Sequence, residues 1–311
     1  MTSRGERKGV RVRSQVRVAD GRSLTVERWG DPFGKPVFLL HGMPGSRLGP
    51  APRGMVLYQR RMQLIAYDRP GYGGSDRHAG RTVADVAGDV AAIADALGLD
   101  TFAVAGRSGG GPGALACAAL LPDRVTRTAA LVPLAPRDAE DLDWFDGMAE
   151  SNVLEYSTAG RDPEELAARL IPRAAGIAAD PGRLLDELRR ELTASDRMIV
   201  ADAGLRGMLL RNYREGVRTS AYGWIDDIIA FSSPWGFDPA DIRCPVLIWH
   251  GELDVFSPVG HSRWLARRIP GATTTFDPAA AHFAALRALP DVLTWLLRDL
   301  PVPPVSERQP A

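Results

Sequence analysis

Hydrophobic and polar positions follow two regimes along this chain. Residues 10–19 and 23–29 alternate apolar with polar around Asp20-Gly21, which predicts a β-hairpin. Further on the alternation stops. Residues 37–40, 62–67, 101–105, 128–132, 245–250 and 273–276 are short runs that predict strands, most of them apolar throughout, as burial on both faces requires. Between them lie stretches with helical spacing at 46–61, 83–97, 112–121, 258–269 and 283–300, the second stopped by Gly98. Strand alternating with helix predicts an α/β fold: a mostly parallel sheet of about eight strands flanked by helices.

The alternation breaks once. Between about 135 and 240 the spacing predicts helices alone, at 138–156, 163–171, 181–192, 198–216 and 222–231. A helical block inserted between two strands of a parallel sheet reads as a lid over their carboxyl ends, the edge where open α/β sheets bind ligands. The expected organisation is a core of 1–134 and 241–300, a helical lid at 135–240, and a flexible proline-rich tail at 301–311.

The strand at 101–105 runs into Gly106-Arg107-Ser108-Gly109-Gly110 and then into a helix. Gly-x-Ser-x-Gly arises by chance in glycine-rich loops, and this chain has 32 glycines. The strand–turn–helix setting is what gives it chemical meaning. A serine nucleophile must stand clear of the scaffold on a tight turn, and Gly106 and Gly110 let strand and helix approach closely around it. The helix start behind Ser108 offers N–H groups and partial positive charge to an oxyanion.

A serine nucleophile needs a base, and the base an orienting acid. The chain has five histidines. His41 ends the first core strand, His78 lies in an early loop, His250 ends a strand, and His261 falls within a helix. His282 alone occupies a loop after the last core strand, where the order nucleophile, acid, base puts the base. The acid should follow the strand before it, in Gly251-Glu252-Leu253-Asp254. Asp254 suits a loop reaching across to His282; Glu252 is the competitor, better suited to loop structure. The oxyanion requires two N–H donors. Gly109 supplies one and the His41-Gly42-Met43-Pro44 turn the other, best from Met43, since Pro44 has no N–H. His41 is then a structural residue beneath the turn.

Other candidates concern specificity. Arg107 offers a guanidinium to a substrate carboxylate, although an ion pair with a neighbouring acid is its more ordinary role. Trp144, Phe145 and Trp224 are the lid aromatics selected to line the pocket, against a default of packing the lid onto the core. Glu150, Glu155, Asp226 and Asp227 could hold a substrate amine, though a solvated helix face is the plainer reading. The Asp68–Ser75 stretch, with Pro70 and three glycines, reads as backbone geometry.

Composition narrows the class. A formal net charge of zero argues against nucleic acid or an anionic membrane as partner and leaves a small-molecule substrate. Residues 1–17 are basic without an apolar segment, so no secretory signal is expected. Cys117 and Cys244 fit buried free thiols in a reducing, cytoplasmic compartment. No Cys or His spacing suggests a metal site, and a monomer or homodimer is expected.

These segments together carry a resemblance. His41-Gly42-Met43-Pro44-Gly45-Ser46, Asp68-Arg69-Pro70-Gly71-Tyr72-Gly73-Gly74-Ser75, Gly106-Arg107-Ser108-Gly109-Gly110, Gly251-Glu252-Leu253-Asp254 and the His282 loop occur in the order found in the α/β-hydrolase fold family. The chain resembles its lid-bearing branch of esterase-like and proline-iminopeptidase-like members. The resemblance implies a Ser108–Asp254–His282 triad, an acyl-enzyme and no cofactor. Met43 and Gly109 stand where iminopeptidases carry a glycine and a tryptophan, and Ala281 precedes His282 where glycine is usual. The expected activity is therefore hydrolysis of a small-to-medium apolar or aromatic carboxylic ester. An aminopeptidase or cofactor-independent lyase on the same triad is the alternative, and a non-catalytic small-molecule binding protein is the alternative of a different class.

Overall fold

The computed structural model of the chain describes residues 11–298; residues 1–10 and 299–311, which include the expected tail at 301–311 and the end of the helix expected at 283–300, lie outside them. The hairpin forms as β1 (Val12–Arg17) and β2 (Ser23–Gly30). Then come β3 (Lys35–Leu40), α1 (Gly54–Gln59), β4 (Met62–Tyr67), α2 (Asp85–Ala96), β5 (Phe102–Arg107), α3 (Gly110–Leu120) and β6 (Val125–Leu131). Six helices follow: α4 (Glu150–Arg161), α5 (Pro163–Ala179), α6 (Gly182–Leu188), α7 (Ala194–Ala201), α8 (Ala203–Gly216) and α9 (Tyr222–Phe231). The chain returns as β7 (Val246–Gly251), α10 (Val259–Arg268), β8 (Thr273–Asp277) and α11 (Ala285–Leu296).

The eight strands form one sheet in the order β1-β2-β4-β3-β5-β6-β7-β8. Only β2 runs against its neighbours β1 and β4; every later pairing is parallel. Register decides what meets at the carboxyl edge. Leu40 pairs with Gly106 and Leu131 with Arg107, so the chain leaves β3, β5 and β6 side by side. Gly251 pairs with Asp277, which brings the loops after β7 and β8 off the same edge. Alternate residues of each central strand feed opposite cores: Phe38, Leu40 and Val104 pack toward α2 and α3, whereas Val37, Leu39, Ala103 and Ala105 pack toward α1 and α11.

Several expected helices change length, each for a local reason. The helix expected at 46–61 is only α1, because Pro50 and Pro52 exclude helix before residue 53. Residues 138–149 form turns rather than the start of a long helix; Asp141 and Gly147 take positive φ there, at 59° and 74°. The helix expected at 198–216 splits into α7 and α8 at Asp202, whose carboxylate accepts from Leu205 N and caps α8. Conversely, α5 continues through Pro172 to Ala179. Cys117 is buried as expected, but Cys244 is only half-buried.

The six-helix block is tied to the sheet edge by buried charge. Asp227 of α9 accepts from Arg69 and from the Tyr72 hydroxyl (2.7 Å), and it pairs with Arg81 at 2.9 Å. Arg47 pairs with Asp68 and with Glu215 of α8, both at 2.6 Å. Asp226 holds Arg77 in a two-pronged pair at 2.8 Å. Asp226 and Asp227 are buried, which corrects the expectation of a solvated face. The Asp68–Ser75 stretch is also more than backbone geometry, since Asp68 and Arg69 anchor these pairs. Breaking a buried pair strands the partner charge. Asp227→Asn leaves both Arg69 and Arg81 without their carboxylate, and it should cost about 3–5 kcal/mol of unfolding free energy in urea titrations. An unchanged midpoint and slope would refute the anchoring role.

Candidate active site

The site begins at a steric constraint. A Cβ on Gly106 would lie 2.0 Å from the carbonyl oxygen of Gly110, and one on Gly110 would lie 2.3 Å from the carbonyl oxygen of Leu40. Strand, turn and helix are therefore in backbone contact. Ser108 sits between them at φ +53°, a conformation that costs a side-chain-bearing residue energy and marks an enforced turn. Its own N–H donates to Leu131 O at 2.8 Å, and its carbonyl accepts from Gly111 N at 2.8 Å. The side chain is half-buried and lines a cavity shared with His282, Met43 and Gly109. The cavity volume is about 70 Å³.

His282 lies in a single 3-10 turn directly after the β8 loop. Its Nδ1–H donates to Asp254 Oδ2 at 2.8 Å. Ala281, before it, is extended (φ −130°), a backbone that alanine adopts as readily as glycine. The other oxygen of Asp254 accepts from Phe256 N (2.8 Å) and Ser257 N (3.0 Å). Burial alone would raise the Asp254 carboxyl. The His282 charge and hydrogen bonds from His250 and His282 outweigh it and hold the group well below the usual carboxylate range. Glu252 instead pairs with Arg263 at the surface, 2.7 Å away. Among the described residues nothing hydrogen-bonds to His282 Nε2, and no bond joins it to the Ser108 hydroxyl. Such contacts are often long before substrate binds.

The N–H groups of Met43 and Gly109 both lack an acceptor among the described residues, and the two residues face one another: a Cβ on Gly109 would sit 3.4 Å from Met43 N. His41 lies beneath this turn. Its Nε2 accepts from Arg69 N at 3.1 Å and its Nδ1–H donates to Gly42 O at 2.8 Å. Burial, then the nearby Arg69 charge, pushes its pKa well below the ordinary value. It is a neutral strut.

The specificity candidates fare unevenly. Trp224 lines the cavity. Trp144 and Phe145 do not: Trp144 is buried against His261 and donates to Ala135 O at 3.0 Å, and Phe145 packs edge-on against it. Tyr156, Phe256 and Phe283 take their place. Of the four acids considered for a substrate amine, Glu150 is exposed, Asp226 and Asp227 serve the buried pairs above, and Glu155 lines the cavity paired with Arg173 at 2.5 Å. Arg107 also lines the cavity, yet no acid pairs with it directly; Asp254 and Asp196 act on its charge only at longer range. Among the described residues it makes no ion pair and no side-chain hydrogen bond.

Three residues were not singled out in the sequence. His250 lies under Asp254, its Nε2–H donating to Ser257 O at 2.6 Å with Asp254 Oδ2 at 3.3 Å. Asp196, at the start of α7, accepts from Phe283 N at 2.8 Å and so holds the His282 turn against the helical block. Tyr213 of α8 reaches the cavity wall. No local pattern marks Asp196 or Tyr213, which reach the site from the helical block, whereas His250 acts on nearby Asp254 and Ser257.

Comparison with known proteins agrees with this fold. Residues 35–288 match the family model described as alpha/beta hydrolase fold. A proline iminopeptidase of Xylella fastidiosa is 28% identical over 302 residues, covering 86% of this chain and 89% of that protein. A pimeloyl-[acyl-carrier protein] methyl ester esterase of Chromobacterium violaceum is 28% identical over 280 residues, covering 89% of this chain and 98% of that protein. Among solved structures, the enol-lactonase from Burkholderia xenovorans superposes with a TM-score of 0.68 at 21% identity, covering 92% of this chain and all (100%) of that one.

Two outcomes follow from the site's packing and charge. Gly106→Ala places a methyl group into the Gly110 carbonyl and should lower stability by about 1–3 kcal/mol or more, read as a fall in thermal midpoint; a wild-type midpoint would contradict the contact. Asp254 has a depressed folded pKa, so its stabilisation is present above the unfolded value of about 4 and lost as pH falls below it. The stability advantage of wild type over Asp254→Asn should thus be largest near neutral pH and shrink in acid. A difference independent of pH in urea unfolding would contradict this.

Proposed function

This chain belongs to the α/β-hydrolase fold family, and on that premise we propose that it is a serine hydrolase acting on carboxylic esters. The observation that carries the reading is the 2.8 Å bond from His282 Nδ1–H to Asp254, beside Ser108 on its strained turn in the same cavity. With Nδ1–H committed to the carboxylate, His282 Nε2 is the basic nitrogen. It takes the proton as Ser108 Oγ attacks the ester carbonyl. The N–H groups of Met43 and Gly109 receive the oxyanion. Collapse of the tetrahedral adduct expels the alcohol, which leaves with the proton from Nε2. Water then attacks the acyl-enzyme by the same route, releasing the acid and restoring Ser108. Asp254 remains ionised throughout and stabilises the imidazolium. Residues 135–240 act as the lid that closes this cavity from above.

The substrate class is a small-to-medium ester with an apolar or aromatic body, from the side chains of Tyr156, Trp224, Phe256 and Phe283 on the wall. The aminopeptidase alternative lacks an available anchor for a substrate amine, because Glu155 is already engaged by Arg173. Wild type should be labelled at Ser108 by a fluorophosphonate probe and should turn over p-nitrophenyl esters. Ser108→Ala should lose labelling and at least about 10³-fold in kcat with an unchanged unfolding midpoint. No labelling and no turnover in wild type would leave a binding protein as the reading. Labelling with release from amino-acid amides alone would make it an aminopeptidase.

A further inference from the structure

Arg107 is the anomaly of the cavity. It is 9% exposed, and desolvation pushes its pKa down against the weaker pull of Tyr213 and of the more distant Asp254 and Asp196 carboxylates. The other buried arginines at this sheet edge, Arg47, Arg69 and Arg81, each face a carboxylate. Arg173, on the same cavity wall, is held by Glu155 and Glu187. Arg107 has neither an ion pair nor a side-chain hydrogen bond among the described residues. Its nitrogens are not among the sealed, unpartnered polar atoms of the interior, so they open onto cavity space. Its Nη2 lies 3.1 Å from the position of a Cβ on Gly42, directly under the turn that carries Met43 N–H. Besides the main cavity it borders a small space below that turn.

Tyr213 repeats the pattern on the facing helix. It is buried on the wall of the same cavity, its hydroxyl has no partner among the described residues, and that oxygen also is not sealed. The Arg107 charge acts on it. A guanidinium and a phenol, both largely buried and both without a partner among the described residues, offer their donors to whatever enters the cavity. A carboxylate placed against them would satisfy both at once, as a charge-assisted acceptor for N–H and O–H.

We infer that Arg107 and Tyr213 form a subsite for a carboxylate on the substrate, so that the preferred ester is one that also carries a free acid, such as the half-ester of a dicarboxylic acid. This deepens the ester-hydrolase reading and rests on it for the reaction, though not for binding. Arg107 does not take part in bond making; it sets which esters reach Ser108.

Two measurements test it. The first compares kcat/KM for mono-p-nitrophenyl glutarate and p-nitrophenyl valerate, equal in chain length and differing in the terminal carboxylate. Their ratio cancels any general loss. Arg107→Met should reduce the anionic-to-neutral ratio by about 10- to 100-fold, the range for a lost hydrogen-bonded charge. An unchanged ratio overturns the proposal. The second is independent of turnover. Glutarate should raise the thermal midpoint of Ser108→Ala protein, and this shift should vanish in Ser108→Ala with Arg107→Met. Equal shifts in both, or none in either, overturn the subsite. Should Arg107→Met fail to fold, Tyr213→Phe keeps the shape and removes one donor, with an expected ratio loss of about 3- to 10-fold; no loss there counts against the proposal. A wild type that binds glutarate through Arg107 yet is neither labelled by fluorophosphonate nor active on either ester refutes the hydrolase reading while upholding the subsite.

Discussion

Backbone contact between the end of β5 and the start of α3 is the constraint on which the site depends. The Gly110 carbonyl occupies the place a Gly106 side chain would need, and the Leu40 carbonyl occupies the place a Gly110 side chain would need. With no room between them, the chain turns within Arg107, Ser108 and Gly109. Ser108 is forced to positive φ and its neighbours are fixed around it. Val132, one residue past β6, also takes positive φ, at 44°. A β-branched residue resists that conformation, so backbone strain gathers at the carboxyl edge of two adjacent strands. Sheet hydrogen bonds on both sides of β5 hold the strained residues in place.

Charge burial organises the loops and helices around the same edge. Taking ions out of water is unfavourable unless each finds a partner, and here the partners come from different layers: Arg47 and Arg69 from the sheet-edge loops, Glu215 and Asp227 from the helices above. The helical block is thus located by ion pairs as well as by its apolar face. Asp254 follows the same rule, its two oxygens shared among His282, Phe256 N and Ser257 N. Arg107 and Asp196 are exceptions to this rule: neither makes an ion pair among the described residues, and Asp196 Oδ2 has no hydrogen-bond partner there.

The glycines around Ser108, the apolar strand runs and the helical spacing were legible because each is a local rule. A strand buried on both faces must be apolar along its length, and a nucleophile on a tight turn must be flanked by glycine. Those rules located β4 and α9 to the residue and put Ser108, Asp254 and His282 at the ends of their strands. Helix ends were less legible where proline or a positive φ intervened, as before α1 and at 138–149. Pocket aromatics were least legible: Trp144 and Trp224 look alike in sequence, yet one packs on His261 and the other faces the cavity.

By itself, then, the sequence determined the alternation of strand and helix, the place of the inserted helices, and the order in which serine, acid and histidine appear. Periodicity and chain order are properties of neighbouring residues, and they survive without coordinates. Only the tertiary structure decided which acids are paired. It turned Asp226 and Asp227 inward, gave Glu155 to Arg173, brought Asp196 and His250 beside the His282–Asp254 pair, and left Arg107 without a direct ion pair among the described residues. Charge pairing acts over a few ångströms between residues as far as 168 positions apart, as Arg47 and Glu215 are, and no local pattern records which distant side chain will arrive.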